Sequence, residues 1–93
     1  LHEYGESARR TGNEILLALR EARWTDAAGA AHRLKSASRS VGALALGDLC
    51  AELEAHCRQP GQAPQATIDA RFSASLRAVL ESIDARAPDR PPA

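Results

Sequence analysis

Among the side chains of this 93-residue chain that could do chemistry, one group shares a helical face: His32, Lys35, Ser36 and Arg39. Residues three and four apart are neighbours on a helix surface, so Lys35 and Ser36 follow His32 by one turn and Arg39 by two. The turn before His32 offers Ala28 and Gly29, both small. A neutral imidazole is available at pH 7 because its unperturbed pKa is about 6.5. It is a nitrogen nucleophile that can take a phosphoryl group as a phosphoramidate. Lys35 can offset the phosphoryl charge without competing as a nucleophile while protonated. The small neighbours let another protein's reacting centre come close. Lys35 is also the only lysine, beside eleven arginines. Its compact, mobile charge suits a group that must arrive and leave.

The remaining reactive side chains read differently. Cys50 and Cys57 are seven apart, which on one helix places their backbones about 10 Å from each other, beyond disulfide reach. His56 adjoins Cys57, but three ligands on one helix do not converge on a tetrahedral metal. The cysteines are therefore expected to be buried thiols in a reducing, cytoplasmic setting, with no metal site. His2 and His56 lack neighbours like those of His32 and are expected to face solvent or pack partly. Spacing alone leaves a second reading open, since a histidine near a lysine also occurs on ordinary solvated helix faces.

The elements that must position these residues follow from apolar periodicity. Leu1, Tyr4, Ala8, Thr11, Ile15, Leu19 and Ala22 recur at steps of three and four, which predicts a first helix over about residues 1–23. Gly5 and Gly12 weaken it, so fraying or a separate short first helix is expected. Thr25 or Asp26 is the expected N-cap of a second helix running to about Val41. Its inward face is Ala27, Ala30, Ala31, Leu34, Ala37, Ser38 and Val41, which leaves His32 at the edge of the core. Gly42 is the expected break. A third helix follows over about 43–58, with Leu46, Leu49, Cys50, Leu53 and Cys57 inward. The run from Gln59 to Pro64 punctuates as a loop. A last helix over about 65–86 turns Ile68, Phe72, Leu76, Val79 and Ile83 inward.

Four amphipathic helices on short connections predict an all-α, antiparallel up-and-down four-helix bundle over residues 1–86. Residues 87–93 read as a Pro-rich tail or linker. Composition agrees, because the apolar content is mostly Ala and Leu and only three residues are aromatic. Twelve basic and twelve acidic residues cancel, which argues against a nucleic-acid surface. No window has the length or apolarity of a membrane span, so no direct membrane contact is expected. The chain opens at Leu1 and contains no Met, which suggests a domain of a longer protein.

The run from Ala31 to Ala43 resembles the His-x-x-Lys-Gly motif of the histidine-containing phosphotransfer (HPt) domains of bacterial multistep phosphorelays, with Gly42 ten residues past His32. Leu46, Leu49, Cys50, Leu53 and Glu54 are similar to that family's Leu-x-x-Leu-Cys-x-x-Leu-Glu stretch. The likeness is close over the middle helices and one of pattern in the outer two. One departure is Ser36, where the family usually has Gly; its hydroxyl could reach a phosphoryl oxygen.

The resemblance implies that His32 accepts a phosphoryl group at Nε2 from the aspartate of a response-regulator receiver domain. His32 would then pass the group to the aspartate of another receiver. Lys35 would stabilise its charge, and Ala28, Gly29, Ser36 and Arg39 would form its surroundings and the docking surface. The domain would bind no nucleotide or cofactor of its own, with Mg²⁺ supplied by the receiver. It would act as a cytoplasmic monomer and belong to a hybrid sensor kinase. The alternatives are the phosphoacceptor domain of a chemotaxis kinase, a helical interaction bundle without chemistry, and the phosphoacceptor helix pair of a sensor kinase. The last usually has an acidic residue after its histidine, where this chain has Arg33.

Overall fold

The computed structural model describes residues 2–59 and 66–85. They form four helices: α1 (His2–Arg20), α2 (Trp24–Ser40), α3 (Leu44–Cys57) and α4 (Ala66–Ala85). No strand occurs among the described residues. Turns of three residues join α1 to α2 and α2 to α3, so successive helices reverse direction. Each helix packs on its neighbours in order, and α4 closes the ring against α1. This is the expected all-α four-helix bundle. Most of the expected loop after Gln59 and the whole Pro-rich tail lie outside the described residues.

The apolar stripes meet in one core whose largest fully buried side chains include Phe72, Ile15, Leu34, Leu46 and Leu53. The inner face of α2 contributes Ala27, Ala28, Ala30 and Ala31, all buried. Small side chains there let α1 and α3 come close on either side, and α2 packs against both. Val79 and Ile83 pack only partly against the core at the far end of α4. One polar contact is buried among these residues. The Tyr4 hydroxyl and Ser38 Oγ lie 2.7 Å apart and tie α1 to α2, so neither group is left unsatisfied.

Helix α1 runs through Gly5 and Gly12 without a break, contrary to the expected fraying. The reason at Gly12 is close approach, because a methyl group there would overlap the side chain of Leu76 on α4. Packing against α4 outweighs the weak helix preference of glycine.

Helix ends account for three further corrections. First, α1 stops at Arg20, and Ala22 is exposed rather than inward. Arg23 N–H donates to the Ala18 carbonyl at 2.8 Å and Ala22 N–H to that of Leu19 at 3.2 Å. This is a Schellman ending, with Ala22 in the left-handed position at φ +57. Second, α2 starts at Trp24, earlier than a cap at Thr25 or Asp26 would give, and no side chain caps it. Asp26 lies inside the first turn, where it favours the helix dipole and accepts from Arg23 Nη1 at 2.8 Å.

Third, α2 stops at Ser40 and Val41 is exposed at the C-cap. Ala43 N–H donates to the Ser38 carbonyl at 2.8 Å and Gly42 N–H to that of Arg39 at 3.3 Å. The same motif therefore recurs, here with glycine at φ +85. The chain thus uses one turn twice, with the suitable residue in only one copy. Left-handed backbone strains an alanine and not a glycine, although glycine also loosens the unfolded chain. Ala22→Gly should accordingly raise stability by about 0.5–1 kcal/mol in urea unfolding, and Gly42→Ala should lower it by a similar amount.

Candidate functional site

His32 lies midway along α2 with 56 % of its side chain exposed. Its flanking core residues, Ala31 and Leu34, are buried, so the imidazole stands on the outer rim of the α2–α3 seam. Across that seam, Leu53 of α3 points into the core. The next residue, Glu54, is turned about 100° around the helix and meets α2. Its side chain is mostly enclosed, with 14 % exposed.

Three nitrogens converge on the Glu54 carboxylate. Lys35 Nζ donates to Oε1 at 2.7 Å. His32 Nδ1 lies 3.0 Å from Oε2, and Arg58 Nε donates to the same oxygen at 3.2 Å. The hydrogen bond from Lys35 is the main cause that holds the Glu54 carboxyl below its ordinary range; partial burial opposes it and Arg58 assists. Glu54 is thus ionised at neutral pH and can only accept. It follows that a neutral His32 carries its proton on Nδ1, which donates to Glu54 and leaves the Nε2 lone pair free. Because the folded carboxyl is the more acidic, its pairing strengthens the fold above about pH 4.3, the usual unfolded value. That contribution fades only as the pH falls through the lower folded value.

The other expected site residues take distinct places. Ser36 and Arg39 are exposed on the same side of α2 as His32. The stem of Arg39 crosses α3 at Gly47, where an added methyl would lie 3.0 Å from its Cγ. Its guanidinium reaches Asp48 at 3.3 Å. Gly29 is half-buried and leaves the flank toward α1 open, where Arg33 pairs with Glu14 at 2.9 Å. Ala28 is a correction. It is fully buried between α1 and α3, so it serves the core beneath the imidazole and offers a partner no surface. Gly42 ends α2, as described, and sets where α3 begins.

Lys35 stands one turn from His32, as its spacing requires, but is already paired. Its ammonium is bound to Glu54, and 21 % of its side chain is exposed. Sequence reasoning missed the part played by Glu54 and did not single out Arg58. The available signal was the Leu53-Glu54 pair in the motif of the third helix, but spacing along one helix does not show which residue of another faces it.

The remaining reactive side chains stand apart from this cluster. Cys50 and Cys57 are buried free thiols, as expected. Burial pushes the Cys50 thiol up to about 12, only partly offset by Lys35 and Arg39, so it is inert at neutral pH. His2 is exposed beside Glu6, and His56 is half-buried near the end of α3. The hollows between α1 and α4 and at the α2–α3 turn do not include His32. With the ring neutral, what the arrangement offers is a free Nε2 on a half-exposed imidazole, backed by an ionised carboxylate. In a ¹⁵N NMR spectrum the neutral His32 ring should appear as the Nδ1–H form. Glu54→Ala should move it toward the Nε2–H form, and an unchanged spectrum would remove Glu54 from this role.

No curated protein and no solved structure matches the chain. Among protein families, the model of the Hpt domain matches residues 1–86, which takes in all four helices and the cluster around His32. The chain therefore belongs to the Hpt domain family, the histidine phosphotransfer modules that work with receiver domains in phosphorelays.

Proposed function

We propose that His32 is the phosphoacceptor of this domain. Its Nε2 attacks the phosphorus of an aspartyl phosphate presented by one receiver domain, and the group later leaves for the aspartate of a second. The observation that carries this reading is the Nδ1–Glu54 contact at 3.0 Å beneath a half-exposed ring. It reserves one ring nitrogen as donor to Glu54 and leaves the other as nucleophile.

The bonds balance without a proton leaving the site. The Nε2–P bond forms as the acyl O–P bond breaks, and the receiver's aspartate departs as a carboxylate. Positive charge that develops on the ring during attack is met by Glu54 through Nδ1–H. In the onward step a second carboxylate attacks phosphorus, the N–P bond breaks, and the imidazole leaves neutral with its Nδ1 proton in place. Such transfer depends mainly on positioning and electrostatics. Lys35 contributes by keeping Glu54 ionised and fixed, and its remaining donors add positive charge nearby.

In this reading the chain itself needs no nucleotide or metal, and the Mg²⁺ of the reaction belongs to the receiver. In the same reading the domain acts as a monomer. Gly29, Ser36 and Arg39 border His32 on the surface that a receiver would cover. No helix among the described residues is long and apolar enough to cross a membrane.

The direct test uses a phosphorylated receiver domain as donor. The chain should gain acid-labile, base-stable phosphate, and His32→Gln should gain none while its helical circular dichroism stays unchanged. Label persisting on the variant would place the acceptor elsewhere. Lys35→Ala should slow labelling by about tenfold without abolishing it; an unaltered rate would assign Lys35 to structure alone.

A further inference from the structure

Where the α2–α3 turn meets the C-terminal half of α4, a hollow of about 350 Å³ opens at one end of the bundle. Its walls include Tyr4, Val41, Ala78, Val79, Ser82 and Ile83, and no residue lining it is charged. In a chain of which 26 % of residues are charged, that neutrality sets the hollow apart. Three large apolar side chains are exposed among the described residues, and two of them mark this end: Val41 at 41 % and Leu44 at 60 %. Val79 and Ile83 are also covered only in part. An uncharged concavity bordered by exposed aliphatic side chains is the kind of surface on which an apolar segment docks. The cluster around His32 takes no part in it.

The chain's own continuation starts beside this hollow. Helix α4 ends at Ala85, two residues past Ile83, and residues 86–93 follow. Three of the chain's five prolines, Pro88, Pro91 and Pro92, fall in that stretch. Proline rings are apolar and their backbone is restricted beforehand, so little freedom is lost when they dock. From Ala85 back to Val79 is about 9 Å along the helix axis. Eight residues in polyproline geometry reach about 25 Å, which leaves enough length for a reversal. Pro88-Asp89 suits the two central positions of a reverse turn, and Pro91 and Pro92 come directly after it. The hydroxyls of Ser75 and Ser82 line the same walls and can donate to the carbonyls that a proline-rich segment leaves free.

We propose that residues 86–93 turn back along α4 and seat Pro91 and Pro92 in this hollow, against Val41 and Val79. The segment closes the open end of the bundle and covers apolar surface that the four helices leave in solvent. The proposal goes beyond the phosphoryl chemistry and does not depend on it.

The test is nuclear Overhauser spectroscopy on the full chain with labelled methyl groups. The rings of Pro91 and Pro92 should show contacts to the methyls of Val41 and Val79, unchanged on dilution. The double variant Pro91→Ser, Pro92→Ser should lose them and shift those methyl signals, while the His32 ring signals stay in place. Val41→Asp, at an exposed helix cap, should lose the same contacts with helical circular dichroism unaltered. Absence of the contacts in the wild type overturns the proposal. So do methyl signals that ignore the double proline variant, or contacts that survive Val41→Asp undiminished. Contacts seen only between chains, in a mixture of labelled and unlabelled protein, give the hollow to a second copy and overturn it as well.

Discussion

A single carboxylate organises the side chains around His32. Glu54 is held by Lys35 and Arg58 and faces Nδ1 of His32, so one acidic group joins α2 to α3 and fixes the protonation pattern of the ring. An exposed ion pair contributes little to stability as a rule, because solvent screens it and long side chains lose freedom. Here the carboxylate is mostly enclosed and its partners arrive from two helices. What it determines is less the stability of the bundle than the identity of the nitrogen left free. The alanine face of α2 is the structural precondition, since larger residues there would push α3 outward and widen the seam that Glu54 spans.

The same dependence explains why the helices end where they do. The position of Glu54 opposite His32 depends on the register between α2 and α3. A three-residue turn sets that register through two backbone hydrogen bonds and a left-handed glycine. The equivalent turn between α1 and α2 is made with an alanine in the unfavourable conformation. Tyr4 and Ser38 add a second constraint deep in the core, locking α1 against the last turns of α2. The cluster is therefore firmly backed although the His32 ring stands half in solvent.

Much of this was legible in the sequence, and the gaps have physical causes. Apolar residues at steps of three and four located all four helices, because burying one stripe per helix is the main force that builds such a domain. Val41 and Ala22 were misplaced for one reason: backbone hydrogen bonds at a helix end can stop the helix before the stripe does. Ala22 carried no glycine to announce the turn. Gly5 and Gly12 suggested a weak helix, whereas at Gly12 the missing side chain admits Leu76. Ala28 was identified as a neighbour of His32 by counting along α2, but counting cannot tell which flank α1 and α3 will cover. His32 and Lys35 stood out by type and spacing. Glu54 and Arg58 are more than twenty residues from His32, and their meeting depends on tertiary register rather than local pattern.

The ridge on which His32 stands has one further consequence. A pocket would shelter its cargo and admit visitors from a single direction, so that entry and exit could be made different. A convex perch does neither. Under the proposed role, any receiver that reaches the ring can both load and unload it. The direction of signal flow would then be set by the abundance and charging state of the receivers, and the domain itself would work equally well in reverse.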